Sequence, residues 1–385
     1  MRTGTPSFRG DQLRAAREAR SLTGAALADL ANVTRSAISQ YERGEQKPSP
    51  TVLQKLADAL NLPGWYFCTE MKDISSPVFY RSFASALQRA RLRAERRLEW
   101  LVEIVDFVSE SVELPRVNVP EIAPHDDVLS LSDDDIEEFA TKVRRTWGLG
   151  DGPLSSVVTL AENNGILVAR QFLDSDKLDA FSYWPDQDAC PIVVLSTDKE
   201  CAVRSRFDLA HEIGHLFLHR HLKREQISSP KNFKTIERQA NRFAGAFLLP
   251  SKTFLQELVS MSLDAFLALK GRWKTSVSLM LKRCEDLGAV NEDVATRLWM
   301  NLARRGWRKR EPLDDSLPVE QPKFLPRSFE LLLSTGPEAR DHILARLPWR
   351  SDEIEALVGM ESGLLGVTDK EQQLTPKIFR FPWTE

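Results

Sequence analysis

The sequence predicts an α+β protein, mostly helical, with a few short strands gathered near its middle. Three observations carry that expectation. Residues 8–67 read as short helices separated by capping and turn residues. Gly165–Ala169, Leu178–Trp184 and Ile192–Leu195 read as strands, and Phe207–His219 is an apolar helical stretch enclosing His211-Glu212-Ile213-Gly214-His215.

The 385 residues suit two or three domains at roughly 150 residues each. An apolar content of 42% is ample for buried cores, and a net charge of −3 does not by itself select a partner. No apolar run of about 18 residues occurs, and Met1–Gly10 is polar and basic. Neither a membrane span nor a signal peptide is expected, and the expected location is cytoplasmic. Cys68, Cys190, Cys201 and Cys284 lack C-x-x-C spacing, which fits reduced thiols better than a disulfide framework.

At the N-terminus, Leu13, Ala16 and Arg17 belong to a first helix. Thr23 caps a second through Leu27 and Leu30, Asn32-Val33 turns, and Thr34 caps a third over Arg35–Arg43 that Gly44 ends. Val52, Leu53, Leu56, Ala57 and Leu60 mark a fourth within Pro48–Leu60. Short helices with a tight turn before Thr34 point to a helix-turn-helix, whose second helix enters the DNA major groove. Leu22-Thr23 through Leu27-Ala28, Ala37 through Gly44, and Pro48 closely resemble the XRE-type helix-turn-helix of phage Cro and C1 repressors. Arg35, Ser36, Ser39 and Gln40 then form its DNA-binding face, able to hydrogen-bond bases or phosphates. Gly24 stands where that family often has a phosphate-contacting Gln. Residues 1–68 carry nine Lys or Arg against six Asp or Glu, so phosphate attraction is modest and protein binding is the competing use.

Residues 69–130 read as a connector. Arg81, Arg89, Arg91, Arg93, Arg96 and Arg97 make Ser82–Arg97 strongly basic, and an apolar stripe from Leu98 to Val108 continues it. Such a run is a solvated helix face or a contact for nucleic-acid backbone. Pro115, Pro120 and Pro124 break the chain before Glu121–Glu138, which holds eight acidic residues and no Lys or Arg. Ser132 and Asp133–Asp135 suit a helix N-terminus, where negative charge offsets the dipole. Asp135–Trp147 and Val157–Asn163 are amphipathic helices leading into the strands.

On a helix, His211 and His215 stand one turn apart on one face, so both imidazoles reach a single ion while Glu212 addresses a water. Catalytic zinc takes three protein ligands and keeps an open position. His221 copies part of the spacing H-E-x-x-H-x-x-G-x-x-H, although Leu218 replaces its turn-forming Gly. Glu237 shares a helical face with Asn241, so it can ligate zinc while Asn241 hydrogen-bonds a ligand histidine.

H-E-x-x-H at 211–215, followed by Glu237, Ala240-Asn241, Phe243-Ala244 and Leu248-Leu249-Pro250, resembles the ImmA/IrrE metallopeptidases. Asp179–Ser182, Pro191–Ser196 and Arg206–Ala210 stand where that family has its hairpin, edge strand and active-site helix. The resemblance implies a zincin-like core of helices packed on a small sheet, with Zn2+ held by His211, His215 and Glu237. Glu212 is then the general base, and the substrate is a repressor protein whose cleavage derepresses stress-response, mobile-element or defence genes. The oxyanion stabiliser stays open among Tyr183, Arg204, His219 and His221. Cys190 is a candidate regulatory zinc ligand, or a small buried residue. A peptide substrate is expected to add to an exposed sheet edge.

Beyond Pro250, Leu255–Leu269, Ser276–Leu287 and Asn291–Ala303 read as helices, and Trp273–Val277 through Gly288 resembles the region that follows the peptidase core in ImmA/IrrE proteins. Arg304–Arg310 is basic around Trp307, residues 312–328 read as a linker, and Phe329–Leu365 as two helices. The expected division is a helix-turn-helix domain at 1–68, a basic helical connector at 69–130, a zincin core at 131–252, a helix-turn-helix-like extension at 253–311, and a C-terminal linker and helical region at 312–385. Expected partners are the repressor, double-stranded DNA through the helix-turn-helix, and single-stranded DNA as a candidate activator, with no membrane. The rival is a DNA-binding transcriptional regulator whose zinc fold senses without turnover; an intact Glu212 favours the enzyme.

Overall fold

The computed structural model describes residues 4–70, 78–80, 88–120, 128–175, 177–185, 189–199 and 201–366. Arg81 and the first part of the basic run, the acidic stretch over 121–127, and the tail from 367 lie outside the described residues.

The N-terminal unit is four helices: α1 (Gly10–Ala19), α2 (Gly24–Ala31), α3 (Arg35–Glu42) and α4 (Pro50–Leu60). Thr23, Thr34 and Ser49 each accept from the backbone N–H three residues on, satisfying a donor that the helix cannot. Asn32 and Asn61 end α2 and α4 in the left-handed region. The next helix, α5 (Gln88–Ser109), packs along α1. Two of its arginines work inward. Arg96 pairs with Glu18 at 3.0 Å, while buried Arg97 bonds Glu353 at 2.8 Å and Gln171 at 3.1 Å. Solvation or a nucleic-acid contact therefore does not describe Arg97, which ties distant parts of the chain together.

Four strands, β1 (Val78–Tyr80), β2 (Leu167–Gln171), β3 (Ala180–Tyr183) and β4 (Ile192–Ser196), form one sheet in the order β1-β3-β4-β2. β4 runs parallel to β2 and antiparallel to β3, and β1 is antiparallel to β3. Three of these match the expected strands. β1 is additional, because three residues are too few for alternation to show in a sequence. Successive side chains point to opposite faces. Val168, Ala180, Val193 and Leu195 join the cluster containing α6 (Asp133–Thr146), α7 (Val157–Asn163), α8 (Ala202–Leu218) and α10 (Pro230–Leu248). Leu167, Phe181, Ile192 and Val194 join a second cluster that runs through α5 and the N-terminal unit to the C-terminal helices. Both faces are covered, which is why β4 is apolar at four consecutive positions.

A short helix, α9 (Arg224–Ser228), precedes α10; α11 (Ser251–Glu257), α12 (Leu263–Trp273), α13 (Val277–Asp286) and α14 (Glu292–Arg304) follow it. The helix expected over Leu255–Leu269 is two, because Ser262 caps α12 by accepting from the N–H of Ala265. Phe329–Leu365 holds parts of three helices, α15 (Phe324–Leu333), α16 (Ala339–Arg346) and α17 (Ser351–Val358). The stretch read as a linker is pinned at two points. Asp314 pairs with buried Lys270 at 2.6 Å, and Glu320 accepts from Ser156 Oγ at 3.0 Å and Val158 N–H at 2.9 Å while pairing with Arg206. Its Pro and Asp content resembles a solvated tether, but the carboxylates have buried partners. Among the described residues, no helix is long and apolar enough to cross a membrane.

Candidate metal centre

Two helices build the site. A Cβ on Gly214 of α8 would lie 3.1 Å from Phe243 Cδ1 and 3.3 Å from Ala240 Cα of α10. Its absence lets the helices close at this point, and Glu237, one turn before Ala240–Asn241, is carried to the histidines. His215 Nε2 lies 3.2 Å from Glu237 Oε1 and 2.9 Å from His211 Nε2, which is 3.6 Å from Glu237 Oε2. Among the described residues, these three are the group whose donor atoms could hold an ion, all within 4.8 Å of one another.

Hydrogen bonds outside that triangle set which ring nitrogens face into it. The carbonyl of Val128 can only accept, so Gln239 donates to it through Nε2 at 2.9 Å and turns Oε1 toward His219. His219 Nε2 therefore donates to Gln239 Oε1 at 3.0 Å. Burial, with His215 beside it, pushes the His219 pKa down to about 3, so the ring is neutral and its Nδ1 is an acceptor. His215 Nδ1–H fills that acceptor at 3.1 Å, and His211 Nδ1–H donates to Asn241 Oδ1 at 3.0 Å. Both Nε2 lone pairs then point toward Glu237. Ligand atoms about 2.0–2.1 Å from a tetrahedral centre lie about 3.4 Å apart, and the spacings of 2.9, 3.2 and 3.6 Å bracket that value. The nitrogen and carboxylate donors fit zinc.

Glu212 is buried next to the pair, and Ser182 Oγ–H of β3 donates to its Oε2 at 2.6 Å. That bond aims the carboxylate. A cleft of about 800 Å³ opens beside Glu237 and Asn241, with Phe207, Phe233 and Leu279 among its walls. An elongated ligand in this cleft would lie beside Glu237 and Asn241.

Other sequence candidates fall elsewhere. His221 is exposed, and its ring accepts from Arg220 Nε at 2.9 Å. Cys190 does not join the donor group: its Sγ lies 3.5 Å from the carbonyl of Pro115, it packs against the cluster on the opposite sheet face, and burial raises its thiol pKa. Tyr183 packs into that same far cluster, and Arg204 is exposed. His219 orients His215, a role that its position four residues along the same helical face could have signalled. Gln239 and Ser182 carried no such signal, since each earns its part through a contact far away in sequence. On α3, Arg35, Ser36 and Ser39 are exposed and Gln40 is half-buried.

Residues 161–285 match the IrrE N-terminal-like domain of the Peptidase_M78 family, and residues 13–64 match a helix-turn-helix family. A stretch of 55 residues is 46% identical to the HTH-type transcriptional repressor RghR of Bacillus subtilis (strain 168), covering 14% of this chain and 41% of that protein. The chain thus spans less than half the length of that relative. Both resemblances read from the sequence are met: the chain carries a domain of a metallopeptidase family and a helix-turn-helix of the DNA-binding type.

Proposed function

We propose, from a metallopeptidase-family domain joined to a helix-turn-helix in one chain, that this protein is a zinc-dependent endopeptidase. Its substrate is a DNA-binding repressor, and its cleavage derepresses stress-response, mobile-element or defence genes in the cytoplasm. The observation that carries this reading is the approach of Glu237 to His211 and His215, with Glu212 buried beside them and held by Ser182. A zinc ion on His211, His215 and Glu237 supplies Lewis acidity toward a water and the scissile carbonyl. Glu212 takes the proton of the attacking water and delivers it to the departing amine nitrogen. Asn241, and His219 backed by Gln239, keep the ligand rings in place. The N-terminal unit at 1–68 addresses double-stranded DNA through Arg35, Ser36, Ser39 and Gln40, and the peptidase unit at 131–252 cuts.

The test incubates the zinc-loaded protein with the repressor encoded beside it, with and without single-stranded DNA, and compares Glu212→Gln. Wild type should cleave, and chelation should stop it. Glu212→Gln should keep one zinc per chain and lose about 10²–10⁴-fold in turnover. Cleavage by Glu212→Gln at the wild-type rate would remove the general-base assignment. A chain that binds zinc and DNA but cuts nothing would be a regulator whose metal fold only senses.

A further inference from the structure

We propose that Val78-Phe79-Tyr80 of this chain occupies at rest the outer edge of β3, the sheet edge to which an extended substrate segment is expected to add. The inference rests on the peptidase reading above and adds a brake to it.

The register puts this strand alongside the general base. Phe79 pairs with Ser182, Val78 with Tyr183 and Tyr80 with Phe181, all antiparallel. Ser182 is the residue whose hydroxyl holds Glu212 at 2.6 Å. Adjacent strands lie about 4.8 Å apart, so the backbone of Phe79 runs past the point on β3 closest to the catalytic carboxylate. A peptide bound by main-chain hydrogen bonds to β3 would have to take the same line, because β4 already fills the other edge of β3.

β1 is also foreign to the peptidase unit. It lies outside the matched segment 161–285 and reaches the sheet from the connector between the helix-turn-helix and α5. Val78 of β1 is partly buried against the cluster on the far face of the sheet. What β1 does supply is a cap on an edge that would otherwise present unpaired N–H and C=O groups. β1 pairs with three of the four residues of β3, and a substrate segment that also pairs with Ala180 forms a longer ladder than β1 does. The favoured substrate segment is therefore extended, rich in β-branched and aromatic residues like Val78-Phe79-Tyr80, and antiparallel to β3. Displacing β1 would switch the enzyme on without any change at the metal ligands.

The experiment uses the full-length zinc-loaded protein, fluorescein-labelled casein as an unfolded probe, and a labelled synthetic peptide copying residues 76–82. Consecutive N–H groups of a strand point to opposite sides, so one of Val78→Pro and Phe79→Pro removes a bond to β3 and the other is its control. One of the two should hydrolyse casein at least tenfold faster than wild type and bind the peptide at least tenfold more tightly, with Glu212→Gln in that background abolishing hydrolysis but not peptide binding. Both variants cutting and binding like wild type would overturn the proposal. If no protein hydrolyses casein, the peptide decides: tighter binding upholds the occupied edge while the peptidase reading fails, and unchanged binding sinks the occupied edge. If neither variant folds, hydrogen exchange of wild type replaces them. Excess peptide must then speed exchange of the Val78–Tyr80 amides while β3 stays protected, and unchanged exchange of those amides counts against the idea.

Discussion

At the scale of single residues, the metal ligands differ from the groups that aim them. On the proposed reading, removing Glu212 touches proton transfer alone, whereas removing Gln239 touches the three donors without touching the reacting atoms. Gln239 is fully buried and spans from the Val128 carbonyl to His219, so Gln239→Leu strands an acceptor at one end and a donor at the other. His219 then loses the bond that fixes its tautomer, and His215 loses its fixed acceptor. Partners of this kind are worth about 10–100-fold in metal affinity, and Gln239→Leu is expected to weaken zinc binding by that factor. Competition against a chromophoric chelator measures it. Wild-type affinity in Gln239→Leu, with the fold intact by circular dichroism, would show that the relay does not position His215.

Among elements, the contact between α8 and α10 decides whether the ligands meet. Gly214→Val would push atoms into Phe243 and Ala240, which a Cβ alone already approaches at 3.1 and 3.3 Å. Overpacking of this sort costs about 1–3 kcal/mol, and here the strain is relieved by moving α10 and Glu237 with it. Both the melting temperature of the metal-free protein and its zinc affinity should fall. A variant that melts lower yet binds zinc as wild type would separate the packing from the site. This junction also marks how far the sequence could be read. His211, His215 and Glu212 were legible because helical spacing alone brings them together, and Thr23, Thr34 and Ser132 were legible as caps because capping is local. Glu237 was legible as one candidate third ligand beside His221, from the helical face it shares with Asn241, but spacing within α10 does not say what α10 faces. Ser182, Gln239 and Phe79 of β1 act through partners 30, 111 and 103 positions away, distances over which periodicity carries no information.

At the scale of the whole molecule, the chain beyond the matched peptidase segment returns to hold α8, the helix that carries His211, Glu212 and His215. Arg206 of α8 is 3% exposed, and burial lowers its pKa; it pairs with Glu320 and donates to the carbonyl of Leu154 at 2.8 Å. Glu320 also receives Ser156 Oγ and the N–H of Val158 at the start of α7, and its own carbonyl accepts from Arg170 Nε at 2.9 Å. Glu320→Ala leaves the guanidinium buried without its carboxylate and frees the start of α7 from its acceptor. Breaking one side of a buried pair costs about 3–5 kcal/mol, and Glu320 is shielded enough for a loss near the lower end. Urea denaturation of the metal-free protein should show it as a lower midpoint with an unchanged slope. Glu110→Ala is the matched control, because Glu110 and its partner Arg346 are each about half exposed and such pairs contribute little. If the two variants unfold alike, the C-terminal strap does not brace α8, and the peptidase unit should then keep its zinc site without residues beyond 311. A lower midpoint in Glu320→Ala alone would mean that the helix carrying His211 and His215 depends on a carboxylate 109 residues beyond His211, well outside the matched peptidase segment at 161–285.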